Sequence, residues 1–487
     1  MLSKSQFLTL FRAQVPHDPT AGQEVAMKKM VDFLYKTAPH QLFILKGYAG
    51  TGKTTLISAL VRVFGNLKKK TVLLAPTGRA AKVFTSYSSA KAYTIHKHIY
   101  KISQKEGFVK IKRKFNESTN TLYIVDEASM ISCESNSGEL FGTRELLTDL
   151  IDYVFEGTGN KLLFIGDDAQ LPPVQCDESP ALNLDFIRKN FEVDIATCQL
   201  TDVVRQANDS GILSNATSLR NVLTTKKYKL PFFSLSDFDD IKRIRSQDME
   251  DELNRLYSNY DTEDIVIITR ANKRAYIFNN EIRNRIFGRE NRLTAGDFLM
   301  AVKNNYYWID ELSEVGFIAN GDLMEVVSIN KTQELYGFTF MNIRARLCDY
   351  PNYPDVDFKI IVESLASEGA SMTNEQMKQL YQEVAKDYED IPNKRTRFLK
   401  IKNNPFLNAV QVKFSYSLTC HKTQGGQWKV VLIDLGYFTE DKIDKEFVRW
   451  LYTALTRATE KVYLINFADH FFNLPHLCVE KNSYTTP

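Results

Sequence analysis

Short continuous apolar runs, each ending in Gly, Pro or Asp and each followed by a helical stretch, recur along the chain. QLFILKG (41–47), TVLLAPT (71–77), TLYIVDE (121–127) and KLLFIGD (161–167) are the clearest. They do not alternate apolar with polar, so they read as strands covered on both faces, the pattern of a parallel sheet. Strand then helix, repeated, predicts an α/β doubly wound domain. The pattern returns in DIVIITR (264–270), KVVLIDLG (429–436) and KVYLINF (461–467). Between about 300 and 407 it gives way to LMEVVSI, GFTFMNI and DFKIIVE and one helix bounded by Thr373 and Asp390. Thr373 with Gln376 predicts a capping box. Met377, Leu380, Tyr381, Val384 and Tyr388 form an amphipathic stripe that predicts core packing. The expectation is two α/β domains, the second carrying a small β-rich insertion.

Composition narrows the class without naming a function. The chain has 487 residues, 44% hydrophobic and 25% charged, which excludes a wholly disordered chain. No apolar run approaches the ~20 residues that span a bilayer, and MLSKSQFLTLFRAQVP lacks a secretory h-region. A cytoplasmic protein with no membrane partner is expected. The net charge of +3 is too weak to mark a polyanion binder, so any nucleic-acid surface must be local. The six cysteines form no CxxC pair, which argues against a zinc site or disulfide framework.

The chemistry lies at the strand ends. Gly47-Tyr48-Ala49-Gly50-Thr51-Gly52-Lys53-Thr54 matches the P-loop pattern and sits between a strand and a helix, the setting the motif requires. Its backbone N–H groups suit a β-phosphate, Lys53 the β/γ-phosphates and Thr54 a Mg²⁺ ion. The next core strand ends in Asp126-Glu127. Asp126 suits the metal's water shell and Glu127 the activation of a water. Gln170, in GDDAQLPPV, can report a γ-phosphate by hydrogen bonding. Arg205 in LTDVVRQ and Arg457 in LYTALTRA are candidate arginine fingers.

Taken in order, PTAGQEVAM, GYAGTGKTT, APTGRAAK, TIHK, YIVDEASM, GDDAQLPPV, LTDVVRQ, SLTCHKTQGGQW and WLYTALTRATEKVYL resemble the motif set of superfamily 1 helicases. APTGRAAK, TIHK and HKTQG are most similar to the RecD/Dda subgroup, superfamily 1B. The resemblance implies two tandem RecA-like P-loop NTPase domains, with a pin insertion in the first and an SH3-like insertion in the second. It places the first domain at 1–96 and 119–209, the pin at 97–118, the second domain at 210–299 and 408–487, and the SH3-like insertion with a helical element at 300–407.

The resemblance further implies an ATP-dependent 5′→3′ DNA helicase or translocase, with ATP and Mg²⁺ bound between the domains. Gln23 would read the adenine. Gly47, Ala49, Gly50, Thr51, Gly52, Lys53, Thr54, Thr55, Gly425, Gln427 and Arg457 would contact the nucleotide, with Thr54 and Asp126 toward the metal. Lys53, Asp126, Glu127, Gln170, Arg205 and Arg457 would carry catalysis. Motif V in many relatives has Glu where Gln427 stands, which weakens the expectation of a ribose contact. Single-stranded DNA would meet Pro76, Thr77, Thr94, His96, Lys97, Asn320, Thr419, His421 and Lys422, through hydroxyl and Lys contacts to phosphates and stacking on bases.

Lys97 to Lys114 holds seven basic residues against Glu106, and Lys105-Glu106-Gly107 reads as a hairpin turn. In relatives a pin at this place splits the duplex; here Phe108 would help form its tip, and a solvated basic loop is the competing reading. Lys394, Arg395, Arg397, Lys400 and Lys402 read either as a nucleic-acid contact or as a solvated linker. The partners implied are single-stranded DNA, the single-strand/duplex junction, and a single-strand-binding, replication or recombination protein. An RNA or RNA–DNA helicase and a motor subunit of a larger recombination or repair complex are the alternatives.

Overall fold

The computed structural model describes residues 2–472 apart from 106–107, 133–144, 204–209, 229–230, 237, 311–312 and 314, and leaves the side chains of 102–111 undescribed. Its strands are β1 Gln41–Gly47, β2 Thr71–Ala75, β3 Ala92–Thr94, β4 Tyr100–Lys105, β5 Phe108–Arg113, β6 Leu122–Val125, β7 Lys161–Gly166, β8 Asp194–Leu200 and β9 Ile241–Ile244. They continue with β10 Ile265–Thr269, β11 Phe298–Ala301, β12 Leu323–Leu335, β13 Phe338–Leu347, β14 Val356–Ile361, β15 Val410–Phe414, β16 Ser417–Thr419, β17 Trp428–Asp434 and β18 Ala458–Ile465.

The first sheet is parallel throughout, in the order β3-β2-β6-β7-β1-β8. Adjacent residues of a strand face opposite sides, and β1 shows the consequence. Phe43 and Leu45 enter one buried cluster, and Leu42 and Ile44 the other. The second sheet, β16-β10-β17-β18-β9, is also parallel. In β10, Ile265 and Ile267 pack to one side and Val266 and Ile268 to the other. Both sheets are therefore sandwiched layers, as the unbroken apolar runs predict. The edge strands β3, β8, β9 and β16 were not among the predicted runs. They are short or less apolar, and β8 is mostly half-buried.

Two insertions leave these sheets. The β4–β5 hairpin pairs Tyr100 with Arg113 through Lys105 with Phe108. It fits inside the expected 97–118 unit; residues 106 and 107 of the expected turn lie outside the described residues. The second insertion is a closed five-stranded barrel, β11-β12-β13-β14-β15. Its strands run from Phe298 to Phe414, wider at both ends than the expected 300–407. The reason is that the barrel's interior (Leu299, Met324, Val326, Ile343, Phe358, Val412) is one cluster with a face of the second sheet (Ile265, Ile267, Val430, Leu432). The barrel is thus packed onto the second domain rather than hung from it.

The predicted helix is present as Asn374–Lys386, with the Thr373–Gln376 capping box formed. Leu380 and Val384 are buried, but Tyr381 faces solvent, so the buried stripe is narrower than the periodicity suggests. The basic stretch is a helix, Lys394–Lys402, not a linker. Asn393 caps it by accepting from the Thr396 N–H at 3.0 Å, and Ile401 joins Leu380, Val384 and Phe340 in a separate small core.

The barrel also touches the first domain. Lys82 Nζ donates to the Cys348 carbonyl at 2.7 Å. A Cβ on Gly78 would lie 2.9 Å from an Asp322 carboxylate oxygen, so glycine is what lets helix Gly78–Ser88 approach. Burial, with neighbouring Asp349, pushes Asp322 up to about 8, against one hydrogen bond from the Ala319 N–H that favours the charged form. Asp349 is raised as well by burial, although Arg79 and Lys82 oppose this. The sign follows from linkage. An unfolded Asp322 loses its proton near pH 4 while the folded one keeps it, so stability falls as pH rises from there toward 8. Asp322→Asn retains the acceptor and removes the titration. The variant should melt several degrees above wild type at pH 8 and lose that advantage toward pH 4. A pH-independent difference in thermal midpoint would refute this.

Candidate nucleotide cleft and nucleic-acid face

The P-loop follows β1 and opens helix Lys53–Asn66. Gly50 (φ 74°) and Gly52 (φ 83°) take left-handed backbone, which lets the loop curl tightly along a cleft of ≈ 620 Å³. Lys53 Nζ is folded back onto its own loop, donating to the Gly47 and Tyr48 carbonyls at 2.6 and 2.9 Å. Ala49, Gly50, Gly52, Lys53, Thr54 and Thr55 line the cleft from the first domain. Thr51 is buried beneath it, its hydroxyl donating to the Tyr48 carbonyl.

Asp126 and Glu127 meet the cleft at the end of β6. Burial raises both carboxyls above their usual range. Tyr87 donates its hydroxyl to Asp126, and the Glu127 N–H donates to Asp126 at 2.9 Å. Glu127 itself has φ 51°, which holds its side chain in a strained position at the strand end. From the second domain, Arg457 places a guanidinium nitrogen 3.8 Å from Glu127 while only 4% exposed. It also donates to the carbonyls of Thr453 and Gly426 and to the Thr456 hydroxyl, which fix the head in the cleft. Gln170 lines the same cleft and its side-chain oxygen is buried with no hydrogen-bond partner. Two adjacent half-buried carboxylates, an ammonium, a hydroxyl and an amide with an unpartnered oxygen fit a nucleoside triphosphate with a divalent cation. Thr54 and Asp126 are the residues that would hold the cation.

Gln23 departs from the expectation that it reads the adenine. It is 1% exposed, its Nε2 donates to the Thr51 carbonyl at 3.0 Å, and its Oε1 accepts from the Thr20 N–H at 3.0 Å. Both ends of the amide are used in bracing the P-loop and capping helix Ala21–Tyr35. Gln427 and Gly425 do reach the cleft. The Gln427 carbonyl accepts from Arg79, whose guanidinium stacks 3.8 Å from the Trp428 ring. Gly425 has φ 72°, and a Cβ there would sit 2.8 Å from Ala80 of the first domain. Arg205 lies outside the described residues.

Residues that sequence reasoning missed tie the domains together. Tyr452 lies five residues before Arg457 in the same motif. Its hydroxyl accepts from the Ala49 N–H of the P-loop at 2.8 Å and donates to Asp167 at 2.6 Å. Thr453 accepts from the Leu171 N–H at 2.9 Å, and Gln424 donates to the Leu171 carbonyl at 2.6 Å. The motif WLYTALTRA carried the signal, but that Tyr452, on helix Lys445–Leu455, meets the P-loop while Arg457, just past the helix end, enters the cleft is visible only once the domains are docked.

The expected nucleic-acid residues are distributed unevenly. Thr77 and Thr94 spend their hydroxyls as helix caps, accepting from the Ala80 and Lys97 N–H groups. Thr94 is buried, which argues against a phosphate contact by its hydroxyl. His96 packs near Tyr100, and burial lowers it to about 4, so it is neutral at physiological pH. Pro76 follows β2 directly, and Lys97 lies on the short helix Ile95–Ile99. Asn320 is exposed beside a tight turn at Gly321. The side chain of Phe108 lies outside the described residues.

Thr419 ends β16, and His421 and Lys422 lie on the turn of helix that follows it. Burial lowers His421, and Lys422 to about 8. Lys422 and Thr419 share a crevice with Asn272 and, from the barrel, Lys413. Burial with the Lys422 charge lowers Lys413 to about 8. Two mutually repelling ammonium groups at one crevice suit a backbone phosphate. No sequence pattern marks Lys413; the barrel's docking brings it there. Lys413→Ala should weaken single-strand binding and reduce the log–log salt slope by about 0.7, one phosphate's worth. An unchanged slope would remove Lys413 from the interface.

Comparison with known proteins places this geometry. Residues 20–229 match the AAA domain family, and 414–465 match the UvrD-like helicase C-terminal domain. The chain is 24% identical to the ATP-dependent DNA helicase Pif1 of Campylobacter jejuni, over 91% of this chain and 94% of that one. It is 26% identical to the ATP-dependent DNA helicase dda of Enterobacteria phage T4, over 65% and 69%. To the RecD2 DNA helicase of Deinococcus radiodurans it is 29% identical over 41% of this chain, a match that spans a quarter of that protein. A Bacteroides Pif1 helicase solved with ADP-AlF3 and single-stranded DNA aligns over 94% of both chains at 15% identity, with a TM-score of 0.48. Among the described residues no helix is long and apolar enough to cross a membrane. The chain thus carries an AAA domain and a UvrD-like helicase C-terminal domain, and its relatives include helicases of the RecD2, Dda and Pif1 kinds, a set consistent with the superfamily 1B helicases.

Proposed function

We propose that this chain is an ATP-driven motor that moves 5′→3′ on single-stranded DNA and separates duplex ahead of it. The observation that carries the reading is the composite cleft: Arg457 of the second domain stands 3.8 Å from Glu127 of the first. Hydrolysis then depends on how the domains meet, and a cycle of closing and opening becomes a step along a strand. Relatives named as DNA helicases support the substrate. The polarity rests on the resemblance to RecD and Dda.

Each residue has a role at a stated atom. Lys53 Nζ leaves its loop carbonyls to meet the β- and γ-phosphates. Glu127 takes a proton from the attacking water. The Gln170 amide and the Arg457 guanidinium hold the γ-phosphoryl oxygens, and Arg205 acts near the hinge. Mg²⁺, when bound at Thr54 and Asp126, neutralises phosphate charge. Lys413, Lys422, Thr419 and Asn272 hold strand phosphates on the second domain, while Pro76, Thr77 and His96 meet the strand on the first. The β4–β5 hairpin serves as the pin, with Phe108 toward its tip, and the barrel, as an SH3-like module, covers the strand. A single-strand-binding, replication or recombination protein is the partner class.

The test is strand displacement on partial duplexes with a 5′ or a 3′ single-stranded tail, with Lys53→Ala as the hydrolysis-dead control. Unwinding of the 5′-tailed duplex alone is expected. Unwinding of only the 3′-tailed duplex would reverse the polarity and with it the roles given to the pin and barrel.

A further inference from the structure

A second cavity, of ≈ 340 Å³, adjoins the nucleotide cleft and shares Asp167 and Gln170 with it. Four buried side-chain atoms without a hydrogen-bond partner belong to residues that line it: Ser129 Oγ, Ser179 Oγ, Gln170 Oε1 and Arg449 Nε. Ser129 is 1% exposed, Gln170 7%, and Ser179 and Arg449 9% each. Four orphaned buried groups on residues around one polar cavity suit a polar occupant.

The chemistry of the wall selects what that is. Both serine hydroxyls and the Arg449 Nε–H can donate, and an amide can present either end. Arg449 is held rigid, its two terminal nitrogens donating to the carbonyls of Asp177 and Asp168 at 2.7 and 3.2 Å. Lys46 adds a second cation, 3.7 Å from Asp168. Inside, each oxygen of the Asp167 carboxyl accepts one hydrogen bond, from the Tyr452 hydroxyl and from the Ala169 N–H. Glu178 and Asp185 also line the cavity, as exposed residues at its rim. The wall thus sets Lys46, Arg449 and the two serine hydroxyls against Asp167, Asp168, Glu178 and Asp185, a mixed lining whose donors give a small anion a weak and reversible seat.

We propose that this chamber receives the inorganic phosphate produced in the nucleotide cleft and is its way out. The proposal rests on the ATPase reading. In that reaction the water oxygen bonds to the γ-phosphorus, the bond from that phosphorus to the bridging oxygen breaks, and ADP keeps the bridging oxygen. The free phosphate then sits beside Gln170, the residue common to both cavities. The partition is thin there. Gly166, which lines the nucleotide cleft, packs directly against Leu182 and Ser129 of the chamber wall: a Cβ there would lie 2.7 Å from Leu182 and 3.2 Å from the Ser129 nitrogen.

The test uses the double variant Ser129→Ala/Ser179→Ala, which removes two unpartnered hydroxyls and should fold at least as well as wild type. Binding of inorganic phosphate to nucleotide-free protein is followed by phosphorus NMR. The double variant should weaken binding by about five-fold or more, the worth of one or two hydrogen bonds, while Lys53→Ala leaves it intact. Binding lost in Lys53→Ala and unaffected by the serine pair would put the phosphate in the P-loop and overturn the chamber. No binding to wild type would overturn it too. With a fluorescent phosphate sensor, the double variant should change the rate of phosphate release while KM for ATP stays put; an unchanged release rate counts against the proposal. A wild type without ATPase would sink the functional reading, and the binding experiment would still decide the chamber.

Discussion

Arg457→Ala should lower single-strand-stimulated ATP turnover by about 10³-fold or more, the range seen when an arginine finger is removed. The side chain is buried at the cleft, 3.8 Å from Glu127, and its nitrogens donate to the Thr453 and Gly426 carbonyls and the Thr456 hydroxyl of its own domain. It is thus placed before any phosphate arrives, and its positive charge costs no rearrangement at the moment of transfer. ATP affinity should change far less than turnover, since Lys53 and the loop N–H groups remain. Arg457→Lys keeps the charge but loses the fork of donors, and should recover only a small part of the rate. Turnover near wild type in either variant would take Arg457 out of the reaction.

Glu127→Gln should cost about 10²–10⁴-fold in turnover, the usual worth of a positioned base, with nucleotide binding retained. Its pH behaviour separates a base from a structural acid. Burial raises the Glu127 carboxyl above its usual range, and neighbouring Asp126 adds to this, while Arg457 pulls it back. A base must be unprotonated, so the wild-type rate should fall on the acid side at a pH above the ordinary carboxylate range. The Gln variant should lack that limb. An acid limb that survives the substitution would assign it to another group, with Asp126 the first to examine.

The sheets were legible in the chain because strands buried on both faces need a continuous apolar run, and β1, β2, β6, β7, β10, β17 and β18 each carry one. The P-loop was legible because only glycine takes the backbone at positions 50 and 52 without strain. Edge strands carried no such signature. The role of Gln23 could not be read from its motif, because an amide able to meet adenine is equally able to brace Thr51, and burial decides between them. Tyr452, Lys413 and the unpartnered serines were invisible for a different reason. Each acquires its neighbours from another domain, and periodicity reports only which face of an element is apolar.

The interruption of the second sheet by the barrel also dictates how the chain can be made. β10 is synthesised before the barrel, but both of its sheet neighbours, β16 and β17, come after it. The first sheet closes with β8, long before Tyr452 and Arg457 exist. A ribosome-bound chain therefore carries a complete phosphate loop and no finger to complete it, while β10 waits with open edges for partners separated from it by a whole barrel. An unfinished molecule can hold nucleotide without spending it, and the slow step in reaching the working form should be the late docking of β16–β18.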